Sequence, residues 1–286
     1  MQNKECKQYE FAGVIFELVS PEFEAGEYLE KFCTENQDTD ITYHIEFCEH
    51  IQLENETAIH SDLGNEVYQC GEHRIRVIRY DSTDDIVMMD IEKNPTEHEV
   101  YFSTKHPKSW GETIVTKIMN IPRKMILHGG IFLHASFVVW NGEAILFSGK
   151  KQIGKSTQAR LWKEEKDVLI ANGDRVILKH MDGRWYACGS PYCGTSKICE
   201  NVKVPVRCIV LLEQGVQNHI TDVGIRDAFV SLLKNCSYEA WDKVQMDRAL
   251  QIMEQISSEV SFAKLTCLPE RSSVKVLEEY LCQKKK

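Results

Sequence analysis

The sequence lacks several features that would assign its class directly. No run of 18 apolar residues occurs in its 286 residues, so we predict no membrane-spanning helix. The first residues lack the apolar core of a secretory leader. None of the 11 cysteines sits in a CxxC pair, so a disulfide framework and a zinc ribbon are both poor interpretations. We therefore expect a protein of the reducing cytoplasm.

Basic residues are scarce in the first part of the chain. Residues 1–104 carry 7 Lys and Arg against 24 Asp and Glu, whereas residues 105–286 carry 27 against 19. With a net charge of −9, we expect neither broad nucleic-acid binding nor membrane binding. The basic second part can attract anions such as phosphates. The acidic first part is either a solvated surface or one that steers a basic peptide to the protein.

Hydrophobic periodicity divides the chain into two predicted domains. Ile41, Tyr43, Ile45 and Phe47 alternate with polar residues, a pattern typical of strands. With further short strands and turns, it predicts an antiparallel β-rich domain over residues 1–104. Composition changes near Lys105. Over residues 105–286, apolar strands alternate with segments of helical period, which predicts an α/β (α+β) core with a mixed sheet and C-terminal helices.

The strongest motif follows the apolar segment Ala144–Phe147 and precedes a predicted helix. It fits the pattern G-x-x-x-x-G-K-[ST] of nucleotide-binding phosphate loops. Its residues are Gly149, Lys150, Lys151, Gln152, Ile153, Gly154, Lys155, Ser156 and Thr157. Lys155 can reach the β- and γ-phosphates, and the Ser156 hydroxyl can ligate Mg²⁺. The motif therefore predicts the binding of ATP with Mg²⁺.

An acidic residue follows the next apolar strand. Asp174 comes just after Val168–Ala171, at the carboxyl edge of a predicted strand, where ligands of such sheets bind. Phosphate loops are completed by an acid at such a position. Asp174 is therefore predicted to contact the metal or to act as a base. The alternative is a turn aspartate after Asn172-Gly173.

The phosphate loop and three further segments together resemble the HPr kinase/phosphorylase-like kinases over about residues 110–215. The further segments are Leu133–Ser136, Ala171–Val176 and Gly189–Ser196. The resemblance implies a kinase core of the HPr kinase type, shared more distantly with ATP-type phosphoenolpyruvate carboxykinases. The sequence also looks like small bacterial relatives that phosphorylate serine-type hydroxyls on peptides or metabolites.

Further residues have candidate roles, of which that of His134 is implied by the resemblance. His134 would lie near the transferred phosphoryl group, although a histidine on an apolar strand is also an ordinary core residue. Arg175 would neutralise phosphate charge or form a surface ion pair. The stretch from Ser190 to Ser196 is small and polar, which suits either closing over an acceptor or a plain connecting loop. The residues predicted to close over the acceptor are Ser190, Cys193, Gly194, Thr195 and Ser196, together with Arg175.

Two positions depart from the family. The kinase/phosphorylases carry paired aspartates where this sequence has Gly173-Asp174, so Asp174 alone is left as base, metal contact or both. They also carry an arginine in an R-G-x-G setting, which Tyr192-Cys193-Gly194-Thr195 lacks. The reverse, dephosphorylating reaction is therefore not expected.

These features predict an ATP- and Mg²⁺-dependent kinase. Its acceptor would be a serine-type hydroxyl on a peptide, a protein or a small metabolite, and Asp174, His134 and Lys155 would be its catalytic residues. One alternative is a non-catalytic nucleotide-sensing module that binds a partner through its N-terminal domain. A weaker alternative is a hydrolase. Because related kinases are often oligomers, a homo-oligomer is one expectation. The acceptor and the choice among ATP, GTP and ADP stay open.

Overall fold

The computed structural model describes residues 5–21, 26–35, 37–53, 57–62, 64–79, 85–105 and 112–284, with only the backbone of 112–114. The chain forms two compact units, residues 1–121 and 122–286. No helix in this described part of the chain is both long and apolar enough to cross a membrane.

The first unit is built on one large sheet with two short helices. Its described elements are β1 (Glu5–Phe11), β2 (Val14–Ser20), α1 (Glu27–Glu30), β3 (Cys33–Thr34), β4 (Ile41–Cys48), β5 (Ala58–Asp62), β6 (Asn65–Cys70), β7 (His73–Arg79), β8 (Ile86–Asn94), β9 (Glu97–Ser103) and α2 (Glu112–Met119). The strands lie in the order β3-β1-β2-β4-β9-β8-β7-β6-β5.

This sheet is mixed, so the prediction of an antiparallel domain is wrong. The strand β4 runs parallel to both of its neighbours, β2 and β9, while the other pairs are antiparallel. The alternation of Ile41, Tyr43 and Ile45 is confirmed, since these three side chains are buried and their neighbours are not. Alternation reports which face is buried, and that pattern is the same for both strand directions.

The boundary of the first unit lies beyond the composition change near Lys105. The last turn of α2 is bound to the sheet: the Tyr43 hydroxyl donates to the Met119 carbonyl over 2.9 Å. The Arg76 guanidinium donates to the carbonyls of Lys117 and Ile118. The last carbonyls of a helix have few intrahelical donors, and that of Lys117 also accepts the Asn120 N–H over 3.3 Å. The sheet therefore supplies their donors, and α2 belongs to the first unit.

The second unit contains the other large mixed sheet and five helices in its described residues. Its elements are α3 (Ile121–Leu127), β10 (Gly130–Trp140), β11 (Glu143–Ser148), α4 (Lys155–Lys166), β12 (Leu169–Asn172), β13 (Arg175–Met181), β14 (Arg184–Cys188), a 3₁₀ turn (Gly194–Ser196), β15 (Lys203–Gln214), β16 (His219–Asp222), α5 (Ile225–Asn235), β17 (Cys236–Ser237), α6 (Lys243–Glu259), β18 (Phe262–Cys267) and α7 (Ser272–Gln283). The main strand order is β11-β10-β13-β14-β15-β18-β16.

Two long strands hold this sheet together. The strand β10 pairs with β11 along one edge and with β12 and β13 along the other. The strand β15 pairs with β14 near its start, then runs parallel to β11 and β18. Both faces of β11 are covered, Leu146 by the core that includes α6 and Phe147 by the core that includes α4 and α7. Burial on both faces explains why β11 is a continuous apolar run.

Candidate functional site

The strand β10 brings the motif segments to one place. His134 pairs with Arg175 on β13, and the next residue, Ala135, pairs with Ser148 on β11. The Ser148 hydroxyl also donates to the carbonyl of His134 over 3.0 Å. The loop that follows β11 and the acid that precedes β13 therefore begin beside neighbouring residues of one strand.

The segment from Gly149 to Gly154, named here the glycine loop, connects β11 to α4. Gly149 and Gly154 have φ angles of 143° and 116°, in a region that residues with a Cβ rarely adopt. A Cβ at Gly149 would also lie 3.4 Å from the Ile153 side chain. The helix α4 begins at Lys155, directly after this bend. The loop thus has the strand–bend–helix form that the motif predicts.

Lys155 lies inside the glycine loop. The residue is 8% exposed. Its ammonium donates to the carbonyl of Gly149 over 3.0 Å and to that of Lys150 over 3.2 Å. Burial lowers the pKa of Lys155, while the negative charge of Asp174 acts in the opposite direction. In contrast, Lys150 and Ser156 are exposed. The loop therefore presents one internal ammonium and an exposed hydroxyl on its first helical turn.

Asp174 lies between two cationic or proton-donating groups. Its Oδ1 is 3.3 Å from His134 Nε2, and its Oδ2 is 3.8 Å from Arg175 Nε. The hydrogen bond with His134 is the largest cause of the lowered pKa of Asp174, and the charges of His134, Arg175 and Lys155 also lower it against the opposing effect of burial. The Asp174 side chain is 33% exposed. The carboxylate is thus ionised near neutral pH and open to a ligand.

Asn172 positions this acid, a role that we did not predict from the sequence. Asn172 is fully buried, and its Oδ1 accepts the backbone N–H groups of Asp174, over 2.8 Å, and Arg175, over 2.9 Å. Its Nδ2 donates to the Ser190 carbonyl over 2.9 Å. An Asn side chain that bonds its own backbone two residues on is a common turn former, and this was the available signal. The turn predicted after Asn172-Gly173 is present and presents Asp174.

The segment 193–198 packs against the acid. A Cβ at Gly173 would lie 2.0 Å from Ser196 Oγ, and a Cβ at Gly194 would lie 2.8 Å from Asp174 Cγ. Ser196 Oγ donates to the Cys193 carbonyl over 2.6 Å. Segment 193–198 can therefore pack closely against Asp174 only because Gly173 and Gly194 have no side chains.

The predicted acceptor residues fall into two groups. Gly194 and Thr195 are exposed and Ser196 is half-buried. By contrast, Ser190 and Cys193 are buried, and the Ser190 hydroxyl donates to the Arg175 carbonyl over 2.7 Å. Ser190 thus supports the backbone at Arg175 and does not face an acceptor, because its hydroxyl is used internally.

The chain is similar to one protein family and to a solved structure. The family model described as "SynChlorMet cassette protein ScmC" matches residues 106–264, more than half of the chain. The chain belongs to the ScmC family. A structure of the Hpr(Ser) kinase/phosphatase from Coxiella burnetii shares 13% identity with it, at a TM-score of 0.30, over 54% of this chain and 89% of that one. This is a remote similarity at the level of the fold. No curated protein matches the chain.

The residues of this ScmC-family site suit one kind of metal. In the part of the chain that the structure describes, no group of three or more His, Cys, Asp or Glu side chains is placed to hold an ion. Ser156 and Asp174 offer oxygen ligands only. Mg²⁺ typically takes one or two protein oxygens and completes its shell with water and substrate phosphates. These oxygen donors are of the kind that Mg²⁺ takes, and the residues that could hold it are Ser156 and Asp174.

Proposed function

We propose that this protein is an ATP- and Mg²⁺-dependent kinase that phosphorylates a serine-type hydroxyl. The observation that carries the proposal is the meeting, on β10, of the glycine loop with the Asp174–His134 pair. Phosphoryl transfer needs mainly alignment of the two reactants and neutralisation of charge. The strand β10 therefore brings the glycine loop, which suits a phosphate, close to the Asp174 carboxylate, which suits a hydroxyl.

The glycine loop would hold the triphosphate. Backbone N–H groups at the start of α4 and in the loop favour negative charge, and Lys155 adds a full positive charge within the loop. Ser156 and Asp174 are the residues that would hold Mg²⁺, and the ion would supply positive charge to offset that on the leaving group. The exposed Lys150 and Lys151 raise the positive potential at the loop entrance.

Asp174 would receive the acceptor. Its ionised carboxylate accepts the hydroxyl proton as the oxygen forms a bond to the γ-phosphorus and the bond from that phosphorus to the β-phosphate oxygen breaks. His134 holds the carboxylate in place through Oδ1, which leaves Oδ2 for the hydroxyl. The low pKa makes Asp174 a weak base. A loose transition state makes little demand on base strength, because proton transfer occurs late.

The direct test is turnover of ATP·Mg²⁺ by the full chain, with ADP measured with and without acceptors such as serine or a serine-containing peptide. We expect acceptor-dependent ADP, and a decrease of about 10²–10⁴-fold in Asp174→Asn. Asp182→Asn, in the exposed turn between β13 and β14, is the matched control and should leave turnover unchanged. Acceptor-independent ADP that is equal in all variants would contradict the proposal and indicate a hydrolase.

A second candidate is a nucleotide sensor that binds a partner through the acidic N-terminal domain. The contact between Gly173 and Ser196 favours it, because it leaves no room for a second acid beside Asp174. A sensor would show no turnover, yet ATP·Mg²⁺ at 100 times its Kd would stabilise it by about 2.7 kcal/mol. In the sensor proposal the N-terminal domain would bind the partner.

A further inference from the structure

Arg175 has a backbone fixed from two sides. Its N–H donates to Asn172 Oδ1 over 2.9 Å, and its carbonyl accepts from Ser190 Oγ over 2.7 Å. Both partners are buried. The position from which its side chain leaves is therefore set as firmly as that of Asp174.

The guanidinium of Arg175 rests on an aromatic ring. Its central carbon lies 5.6 Å from the ring centroid of Tyr192. Tyr192 in turn packs edge to face against the buried Phe132, with ring centroids 5.4 Å apart. Contact with a ring uses the face of a guanidinium and leaves its N–H donors in the plane available. The ring of Tyr192 therefore orients the Arg175 guanidinium without engaging its N–H donors.

No acceptor in the described residues takes a hydrogen bond from that guanidinium. Its closest carboxylate oxygen, Asp174 Oδ2, is 3.8 Å from Nε, which is beyond hydrogen-bond distance. The Arg175 side chain is 41% exposed. An oriented, half-exposed guanidinium that donates no hydrogen bond within the described residues, and pairs with Asp174 only over 3.8 Å, suits a carboxylate or phosphate ligand.

We propose that Arg175, supported by Tyr192, binds a carboxylate of the acceptor, so that the acceptor is a small hydroxy acid or hydroxy amino acid. This rests on the proposed function for the identity of the hydroxyl site. Where the two hydrogen bonds run roughly parallel, ligand oxygens that bond Asp174 and Arg175 lie about as far apart as the two protein atoms, which are separated by 3.8 Å. That spacing matches a hydroxyl and a carboxylate of one small molecule.

The inference is tested with acceptors that differ only in the carboxylate. Turnover of ATP·Mg²⁺ by the full chain is measured with glycerate against glycerol, and with serine against serinol. The variants are Arg175→Gln and Arg184→Gln, the latter a matched control in which an arginine lies 5.1 Å over the ring of Tyr186. We expect Arg175→Gln to raise the KM for glycerate and serine about tenfold or more, with little change for glycerol and serinol. The KM for ATP should stay the same, and Arg184→Gln should match the wild type.

Loss of turnover in Arg175→Gln that is equal for neutral and anionic acceptors would overturn the inference, since Arg175 would then act on the transferred phosphoryl group. A preference for an acidic serine-containing peptide over both small acids would overturn it as well. Binding of glycerate without nucleotide, followed by ligand-observed NMR, separates this from the kinase proposal. Glycerate binding that is lost in Arg175→Gln supports the site even where no acceptor gives ADP, and equal binding of glycerate and glycerol refutes it.

Discussion

Replacing Gly173 with alanine should disturb the site through a single contact. The backbone at Gly173 lies outside the left-handed region, so alanine meets no conformational barrier there. Its Cβ would lie 2.0 Å from Ser196 Oγ and 2.4 Å from Ser196 Cβ, closer than such atoms can approach. Ser196 must therefore move, and Gly173→Ala tests how closely segment 193–198 packs beside Asp174.

The cost of moving Ser196 follows from its partners. Its Oγ donates to the Cys193 carbonyl over 2.6 Å and accepts the Ile198 N–H over 3.2 Å. Two such hydrogen bonds contribute about 1 kcal/mol each to the free energy of unfolding. We expect Gly173→Ala to destabilise by about 2–3 kcal/mol, within the range found for overpacked sites. Ser196→Gly should cost about the same, because it removes the same bonds.

The double variant tests whether positions 173 and 196 are in direct contact. In Gly173→Ala with Ser196→Gly, the steric conflict is absent and the two hydrogen bonds are lost once. Its free energy of unfolding should therefore be close to that of Ser196→Gly, with a coupling energy of about 2 kcal/mol between the two positions.

The assay is urea unfolding followed by tryptophan fluorescence, which reports mainly on the second unit, where Trp140, Trp162, Trp185 and Trp241 lie. Gly224→Ala is the control: nothing lies within 4 Å of a Cβ there, so no coupling with Ser196→Gly is expected. Costs of Gly173→Ala and Ser196→Gly that simply add would refute the contact.

Three further results are expected. Since its interaction with His134 lowers the pKa of Asp174, this carboxylate stabilises the fold above the unfolded pKa of about 4. The difference in unfolding free energy between wild type and Asp174→Asn should hold at neutral pH and shrink as pH falls through the lowered pKa; a constant difference from pH 7 to 3 would contradict this. Asp90→Asn should destabilise the first unit by about 3–5 kcal/mol in thermal unfolding, because the buried Asp90 carboxylate pairs with the Arg76 guanidinium over 3.4 Å; a loss below 1 kcal/mol would contradict it. Asp242 caps α6, so Asp242→Ala should be about 1 kcal/mol less stable than Asp242→Asn, which keeps an accepting oxygen; equal stability would exclude a role for the cap.

Local patterns predicted much of the second unit. The apolar run of β11, the glycine loop and the helix after it follow from residue types within a short window. The parallel pairing of β4 with β2 and β9 could not be predicted. Parallel neighbours come from distant parts of the chain, and the alternation of apolar and polar residues is the same for parallel and antiparallel strands.

In the site, too, some features follow from local patterns and others depend on distant parts of the chain. The order of motifs suggested that Asp174 and the glycine loop lie close together, and register on β10 brings them there. The fit of Ser196 to Gly173, and the burial of Ser190, depend on a turn twenty residues downstream whose path no local pattern encodes. Polar residues of that turn were predicted to face an acceptor, but a hydroxyl can equally satisfy a buried carbonyl.

Because Ser148, His134 and Arg175 are fixed by ladder pairs on β10, the distances among their backbones do not depend on the length of the connections between them. Closing a longer loop costs little, so residues could be inserted into the exposed turn at Asp182-Gly183 without altering the spacing of these groups. The pairing on β10 sets these backbone distances, and a redesign that keeps this register can lengthen the turn at Asp182-Gly183 without changing them.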